Sequence, residues 1–255
     1  MGLRLGSVLG VMSTLAYLGL ASGTAAHAVP LDLSTKTVRC AASQDSVPFA
    51  GRIWRVKRSN TPVGPGPNLF SGSNVCLGPK GLHLRITPDR RGRWRSGEVF
   101  LPTSLGYGTY EWTVAGRVDR LNAQAVLGLF VYESDNKEID IEFARWGWAA
   151  DPTNAQYVVQ PWDEPGNLQR FTMPELGSSV HRFTWQPGSV AFVSRAVDGR
   201  VISEWVYRGV HVPTPGAERV HMNLWSYQGA PLAQGARQDE VVISDFSFTP
   251  GEQPE

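Results

Sequence analysis

In Glu138-Ile139-Asp140-Ile141-Glu142-Phe143, three carboxyl side chains alternate strictly with three apolar ones. A strand turns successive side chains to opposite faces, so this period of two gathers the acids on one face and Ile139, Ile141 and Phe143 on the other. A helix fails the pattern, because a residue two positions on points nearly opposite and Asp140 would leave the face shared by Glu138 and Glu142. The segment commits its part of the chain to a sheet with one buried face.

The rest of the sequence is punctuated in the same way. Short runs rich in Val, Ile, Tyr, Phe and Trp occur at residues 82–86, 93–101, 109–118, 125–133, 138–143 and 155–160, and again at 181–186, 190–195, 201–207, 220–225 and 241–248. Gly and Pro turns separate them, and no long stretch carries a helical period. Asp198-Gly199 is a hairpin signal. Residues 60–68, NTPVGPGPN, hold too much Pro and Gly for a regular element and read as a loop. Many short strands without helices predict an all-β sandwich of two antiparallel sheets. A chain of 255 residues, 42% hydrophobic, is long enough to bury such a core as one unit. The expected organisation is a signal peptide at 1–28, an N-terminal segment with the Pro/Gly loop at 29–68, and a β-domain at 69–255.

Arg4 precedes an apolar stretch at 5–21, and Ala26-His27-Ala28 supplies the small residues of a cleavage site, which predicts cleavage after Ala28 and a secreted or periplasmic protein. An uncleaved anchor is the rival reading, but the stretch is short for a membrane span and diluted by Gly, Ser and Thr. The two cysteines, Cys40 and Cys76, fall in the exported part, where oxidising conditions favour a disulfide over two buried thiols. The formal charge is +1, with Lys and Arg scattered apart from a short cluster at Arg90, Arg91, Arg93 and Arg95 in a turn. That balance argues against nucleic acid or a membrane surface as partner. A monomer is expected.

The acid strand carries its own chemistry. At about 3.3 Å per residue, the Cα atoms of Glu138 and Glu142 stand about 13 Å apart, and extended side chains bring the carboxyl groups to roughly 5 Å. That is the separation of a retaining glycosidase, in which one carboxylate attacks and the other acts as general acid and base. Crowding of like charges raises at least one pKa, so one glutamate holds a proton while the other stays ionised. Asp140, between them, is placed to orient the nucleophile through a shared proton. An ordinary solvated sheet face is the plainer reading of alternating acids. Like charges aligned on one strand without interleaved lysines, however, make a poor stabilising surface.

With these residues in view, the chain resembles glycoside hydrolase family 16, the clan of lichenases, laminarinases and xyloglucan endotransglycosylases. The resemblance runs over residues 82–248. It rests on the E-[IL]-D-x-E signature at Glu138-Ile139-Asp140-Ile141-Glu142, with Gly106-Tyr107-Gly108-Thr109-Tyr110-Glu111, Leu129-Phe130-Val131-Tyr132, 181–188 (HRFTWQPG) and Met222-Asn223-Leu224-Trp225 around it. It implies a concanavalin-like β-jelly roll with a sugar cleft across one sheet and a β-glucan substrate. It implies Glu138 as nucleophile, Asp140 as assisting acid and Glu142 as acid/base. Glu98 resembles a cleft glutamate that binds a sugar hydroxyl, and Asn223 and Trp225 resemble cleft residues. The chain departs from the lichenase pattern at Asn136, where an aromatic usually stands, at Phe100 in place of arginine, and at Val158 and Gln160 in place of Asn and Tyr. These departures spare the triad and rewrite the subsites.

Of the nine tryptophans, Trp94, Trp146, Trp148 and Trp225 are candidates for stacking on sugar rings, whereas Trp185 reads as core and Trp162 as a turn aromatic at the rim. His83, His181, His211 and His221 are isolated and show no metal-ligand spacing, no Asp/Asn-rich loop marks a calcium site, and no G-x-S-x-G elbow is present. Neither a metal nor a cofactor is expected. A carbohydrate-binding jelly roll without turnover and a transglycosylase with the same triad remain as alternatives to a hydrolase.

Overall fold

A computed structural model describes residues 38–251. The expected signal peptide and its cleavage point after Ala28 lie outside the described residues. In chain order the strands are β1 Arg39–Cys40, β2 Ser46–Phe49, β3 Arg52–Val56, β4 Val75–Gly78, β5 Gly81–Pro88, β6 Trp94–Arg95, β7 Gly97–Phe100, β8 Gly108–Ala115 and β9 Ala125–Ser134. They continue as β10 Lys137–Ala144, β11 Ala155–Val159, β12 Leu168–Phe171, β13 Ser178–Gln186, β14 Ser189–Ala196, β15 Val201–Tyr207, β16 Arg219–Ser226 and β17 Asp239–Pro250.

Two sheets result. One has the order β12-β11-β10-β9-β16-β7-β3-β2; the other runs β1-β4-β5-β17-β8-β13-β14-β15, with β6 paired to β5. The ladders between strands are antiparallel, as in β10 with β9 and β16 with β7. This is the all-β jelly-roll sandwich expected from the sequence.

Between the sheets lie the apolar halves of the alternating strands. Ile139, Ile141 and Phe143 are fully buried there, together with Trp54, Trp112, Trp185, Tyr110 and Phe183. Trp54 meets Phe246 edge-on at 5.2 Å, and Trp112 lies 5.5 Å from Phe183. His181, isolated in sequence, is part of this interior. Its Nδ1 is 2.8 Å from Ser194 Oγ and its Nε2 is 2.7 Å from Ser179 Oγ, while Tyr157 donates to the same Ser194 oxygen at 2.8 Å. Burial pushes its pKa down to about 3, so the ring is neutral, and it packs edge-on at 4.6 Å against Phe143 behind the acid strand.

The sandwich begins earlier than residue 69, for β2 and β3 extend the first sheet through β7. The expected single strand at 93–101 is broken at Ser96. There the backbone leaves the pairing with β5 and bonds instead to Leu69 and Ser71, so that Trp94 and Glu98 end in different sheets. Gly97 fits that crossing because an added Cβ would stand 2.4 Å from the Asn74 carbonyl oxygen. The Arg-rich turn is organised by Asp89, whose carboxylate accepts from the backbone of Arg91 and Arg93 and from the side chain of Arg95.

Cys40 and Cys76 form a disulfide across the β1/β4 pair. Closing 36 residues of separation constrains the unfolded chain by about 4 kcal/mol. Reduction is therefore expected to lower Tm by roughly 10 °C, read by calorimetry with and without a phosphine reductant. An unchanged Tm after full reduction would show that the bond contributes little.

Candidate active site

The acid face of β10 opens outward from the first sheet, and antiparallel register builds the site row by row. Glu142 lies opposite Gly128 on β9 and Gln156 on β11; beyond Gly128 come Asn223 on β16 and then Glu98 on β7. Asp140 lies between Val158 and Phe130, and Phe130 leads to His221 and Phe100. Glu138 pairs with Tyr132. Glu138, Asp140 and Glu142 border one cavity of about 370 Å³ with Glu98, Asn223 and Trp225. Gly128 keeps that row open, since a Cβ there would come within 2.6 Å of Asn223 Oδ1, the atom that accepts from the Gly128 amide. One wall is the Pro/Gly loop at Val63, Gly64 and Pro65. It is held by Asn68, whose side chain donates to the carbonyls of Pro65 and Ser226.

A roomier polar hollow of about 480 Å³ lies by Arg58, Asp89 and Arg95. Two of its guanidinium groups are spent within the protein: Arg58 donates to the carbonyls of Ala41 and Ala42, and Arg95 to Asp89 and Ser59. The acid strand is where unspent reactive groups converge.

Burial is the first cause of the unusual proton affinity there. It pushes Glu138 up to about 8, with the nearby Glu142 and Asp135 charges adding to the rise. Glu142 goes up to about 7 against the opposing pull of Gln156 and Arg170. Asp140 is raised well above the ordinary carboxylate range by burial and by the charges of Glu138 and Glu142. Asp140 and Glu138 share a hydrogen bond that favours the proton on Asp140 and the charge on Glu138. The three carboxyl groups thus hold protons as a set near neutral pH, which is the condition for one to attack while another donates.

Glu142 and Asp140 are each steadied by a glutamine on or beside β11, a role that no local sequence signal marks. Gln156 donates from Nε2 to Glu142 at 2.7 Å, and its Oε1 is fixed by Arg170 at 3.1 Å and by the Trp146 indole at 3.3 Å. Arg170 is itself held by Asp151 at 2.7 Å and Thr153 at 2.8 Å. Gln160 donates to Asp140 at 3.1 Å. Glu142, which must donate a proton, loses that function once it is ionised, so kcat/KM is expected to fall as pH rises through about 7. Gln156→Leu removes a donor that favours ionised Glu142, so it should raise that pKa and move the alkaline limb upward. A pH–rate profile of the two proteins checks the sign, and a limb displaced downward contradicts the assignment.

The structure brings together Glu138, Asp140, Glu142, Glu98, Asn223 and Trp225, and leaves three of the expected sugar-stacking tryptophans outside the cavity lining. Trp94 sits on β6 in the other sheet, packed against the core. Trp148 is 61% exposed in the turn after β10. Trp146 is spent within the protein, 6.0 Å from Trp225 and 5.5 Å from Tyr227, and reaches Glu142 only through Gln156. Glu98 lines the cavity but is bound within the protein. It is 1% exposed, with Oε1 2.9 Å from His221 Nδ1 and Oε2 2.8 Å from Lys57 Nζ, so both oxygens are occupied before any sugar arrives. Lys57 donates in addition to the Gly64 carbonyl at 2.8 Å and caps the Phe70 ring at 4.4 Å, tying the loop wall to the floor. Lys57, Gln156 and His221 carried no local signal; only the strand register assembles them.

No protein-family model matches the sequence, and no curated protein matches it. Solved structures do share the fold. The β-glucanase of Bacillus licheniformis superposes with a TM-score of 0.58 at 20% identity, over 78% of this chain and 92% of that one. An immunostimulatory antigen and pseudo β-1,3-glucanase of Mycobacterium tuberculosis gives 0.59 at 20% identity, over 78% and 91%. A transglycosylase in complex with NAG gives 0.54 at 14% identity, over 86% and 90%. The fold is therefore that of a group whose members include a glucanase, a pseudo-glucanase and a transglycosylase, and chemistry has to be argued from the site.

Proposed function

We propose that the chain is a retaining glycoside hydrolase of the family 16 type, exported from the cell and acting within β-linked glucan chains. The observation that carries the reading is the alignment of three carboxyl groups on one strand face along an open cavity, with Asp140 between the two glutamates and Glu142 held separately by Gln156. Glu138 attacks the anomeric carbon while Glu142 protonates the departing glycosidic oxygen, giving a glycosyl-enzyme and a shortened glucan. Glu142, now ionised, takes a proton from water, which opens the ester and returns Glu138 to its starting state. Asp140 keeps its hydrogen bond to Glu138 throughout, orienting the attacking oxygen. The disulfide supports an oxidising compartment, in keeping with the leader-like sequence at 1–28.

Release of reducing ends from mixed-linkage glucan, laminarin, xyloglucan and a β-galactan tests the activity. Proton NMR of the first products tests the stereochemistry, with the β-anomer expected before mutarotation. A carbohydrate-binding protein would bind without releasing ends, a transglycosylase would lengthen an added acceptor oligosaccharide, and an initial α-anomer would exclude Glu138 as a covalent nucleophile.

A further inference from the structure

Beside the acid strand, three parallel rings stand in a row, and two of them, Phe130 and His221, line the cavity. His221 lies between Phe100 and Phe130, with centroids 5.3 and 4.9 Å away and planes tilted by 17° and 21°. These three residues occupy one row on adjacent strands β7, β16 and β9, and the centroid distances are close to the strand spacing of about 4.8 Å. The rings therefore face one another across the strands and stand upright on the sheet, and those of Phe130 and His221 turn their edges to the cavity. A sugar arriving here meets no flat aromatic face. It meets the hydrocarbon edge of Phe130 and, beside it, the imidazole.

The imidazole has little freedom. Its Nδ1 is 2.9 Å from Glu98 Oε1, and the Tyr132 ring closes on it from a third side, edge-on at 6.0 Å. Glu98 is fully buried, yet the hydrogen bond from His221 and the ammonium of Lys57 hold its pKa below the ordinary value, so it is a carboxylate. A buried carboxylate has no proton to give, so Nδ1 carries the hydrogen and donates it. In the neutral ring Nε2 is then left as an acceptor. That nitrogen has no partner among the described residues, and the side chain keeps 14% of its surface exposed.

We infer that His221 is a sugar-recognition residue of this cleft, accepting a hydroxyl hydrogen bond at Nε2, and that Glu98 is a positioning residue acting through it. The inference rests on the reading of the cavity as a glycan site and deepens it. Two strand spacings, about 10 Å, separate His221 from Asp140, so the hydroxyl belongs to a sugar unit other than the one attacked by Glu138. The contribution expected of Glu98, a direct contact with sugar, is thereby relayed through the imidazole. The selected ligand is a neutral, hydroxyl-rich glycan that presents an O–H where the floor has a single acceptor.

The test uses the non-hydrolysing Glu138→Ala protein, so that binding is read apart from turnover. Its affinities for mixed-linkage glucan, laminarin, xyloglucan and β-galactan are measured by calorimetry. Adding His221→Phe keeps the ring stack and removes the acceptor, and is expected to weaken the best ligand about tenfold. Glu98→Gln is expected to weaken it too, but to add little once His221 is Phe, a coupling that a merely structural Glu98 would not show. Because His221→Phe leaves Glu98 with one partner fewer, a second measurement needs no change at either residue: the ¹⁵N resonance of His221 Nε2 should move on addition of the ligand. Affinity within twofold in His221→Phe, together with an unmoved Nε2 resonance, overturns the inference. Binding without any release of reducing ends by the unmodified protein sinks the enzymatic reading alone. Failure to bind any of the four glycans overturns both.

Discussion

Glu138→Ala is expected to lower hydrolysis of the preferred glucan by about 10⁴-fold or more, the largest single effect in the molecule. The reason is chemical: Ala leaves no atom able to form the ester with the anomeric carbon, and the nearest alternative, Asp140, is a shorter side chain that the site holds protonated. The backbone is not asked to change, because Glu138 points to the cavity while Ile139 and Ile141 keep their places in the core. Removing one of three crowded carboxyl groups also relieves repulsion, so Tm should stay level or rise. Asp140→Asn should cost less than Ala at Glu138, since the amide keeps a donor for Glu138 and forms no bond to sugar. Initial rates of reducing-end release decide the matter, with calorimetry showing that the variant is folded. Activity within tenfold of the parent would mean that the attacking group lies elsewhere.

What could be read from the sequence follows the range over which each signal acts. Alternation is local, so the acid strand, its buried partners and ten of the eleven expected strands were visible without any knowledge of pairing, whereas the run at 93–101 is two strands in different sheets. The two cysteines needed no register, only the absence of competitors. Strands β2 and β3 are short and hold Pro48, Arg52 and Arg55 among their apolar residues, which masks the period of two. Their place is decided by pairing with β7, about 45 residues on. The supporting shell of the site is non-local in the same sense. Glu98 and His221 are separated by 123 positions and meet because β7 and β16 are neighbours in one sheet. Nothing near either residue announces the meeting. Trp94 and Trp148 show the converse: chemical type suggested sugar stacking, but their placement outside the cavity lining depends on the break at Ser96 and on the turn after β10, which composition does not encode.

Glu142→Ala should divide substrates by how much help their leaving groups need. With natural glucan the departing sugar hydroxyl is a poor leaving group, and without a proton donor the first step should slow by several hundredfold or more. An aryl β-glycoside with an acidic phenol needs no proton, so formation of the glycosyl-enzyme should survive, and breakdown becomes limiting because no base remains to activate water. Steady-state turnover of such a substrate should then show a burst followed by a slow phase. Azide is a nucleophile without a proton to lose, and the vacated carboxylate leaves room for it beside Gln156 and Gly128. Adding azide should accelerate the slow phase and yield a β-glycosyl azide, the product of two inversions at one carbon. The alkaline limb assigned above to the donor should disappear for this substrate, since the titrating group is gone. In Glu138→Ala the same reagent would enter from the opposite face and give the α-azide in a single inversion. The configuration of the two azide products therefore assigns nucleophile and acid/base independently of any rate. A β-azide from Glu138→Ala or an α-azide from Glu142→Ala would exchange the two roles along β10.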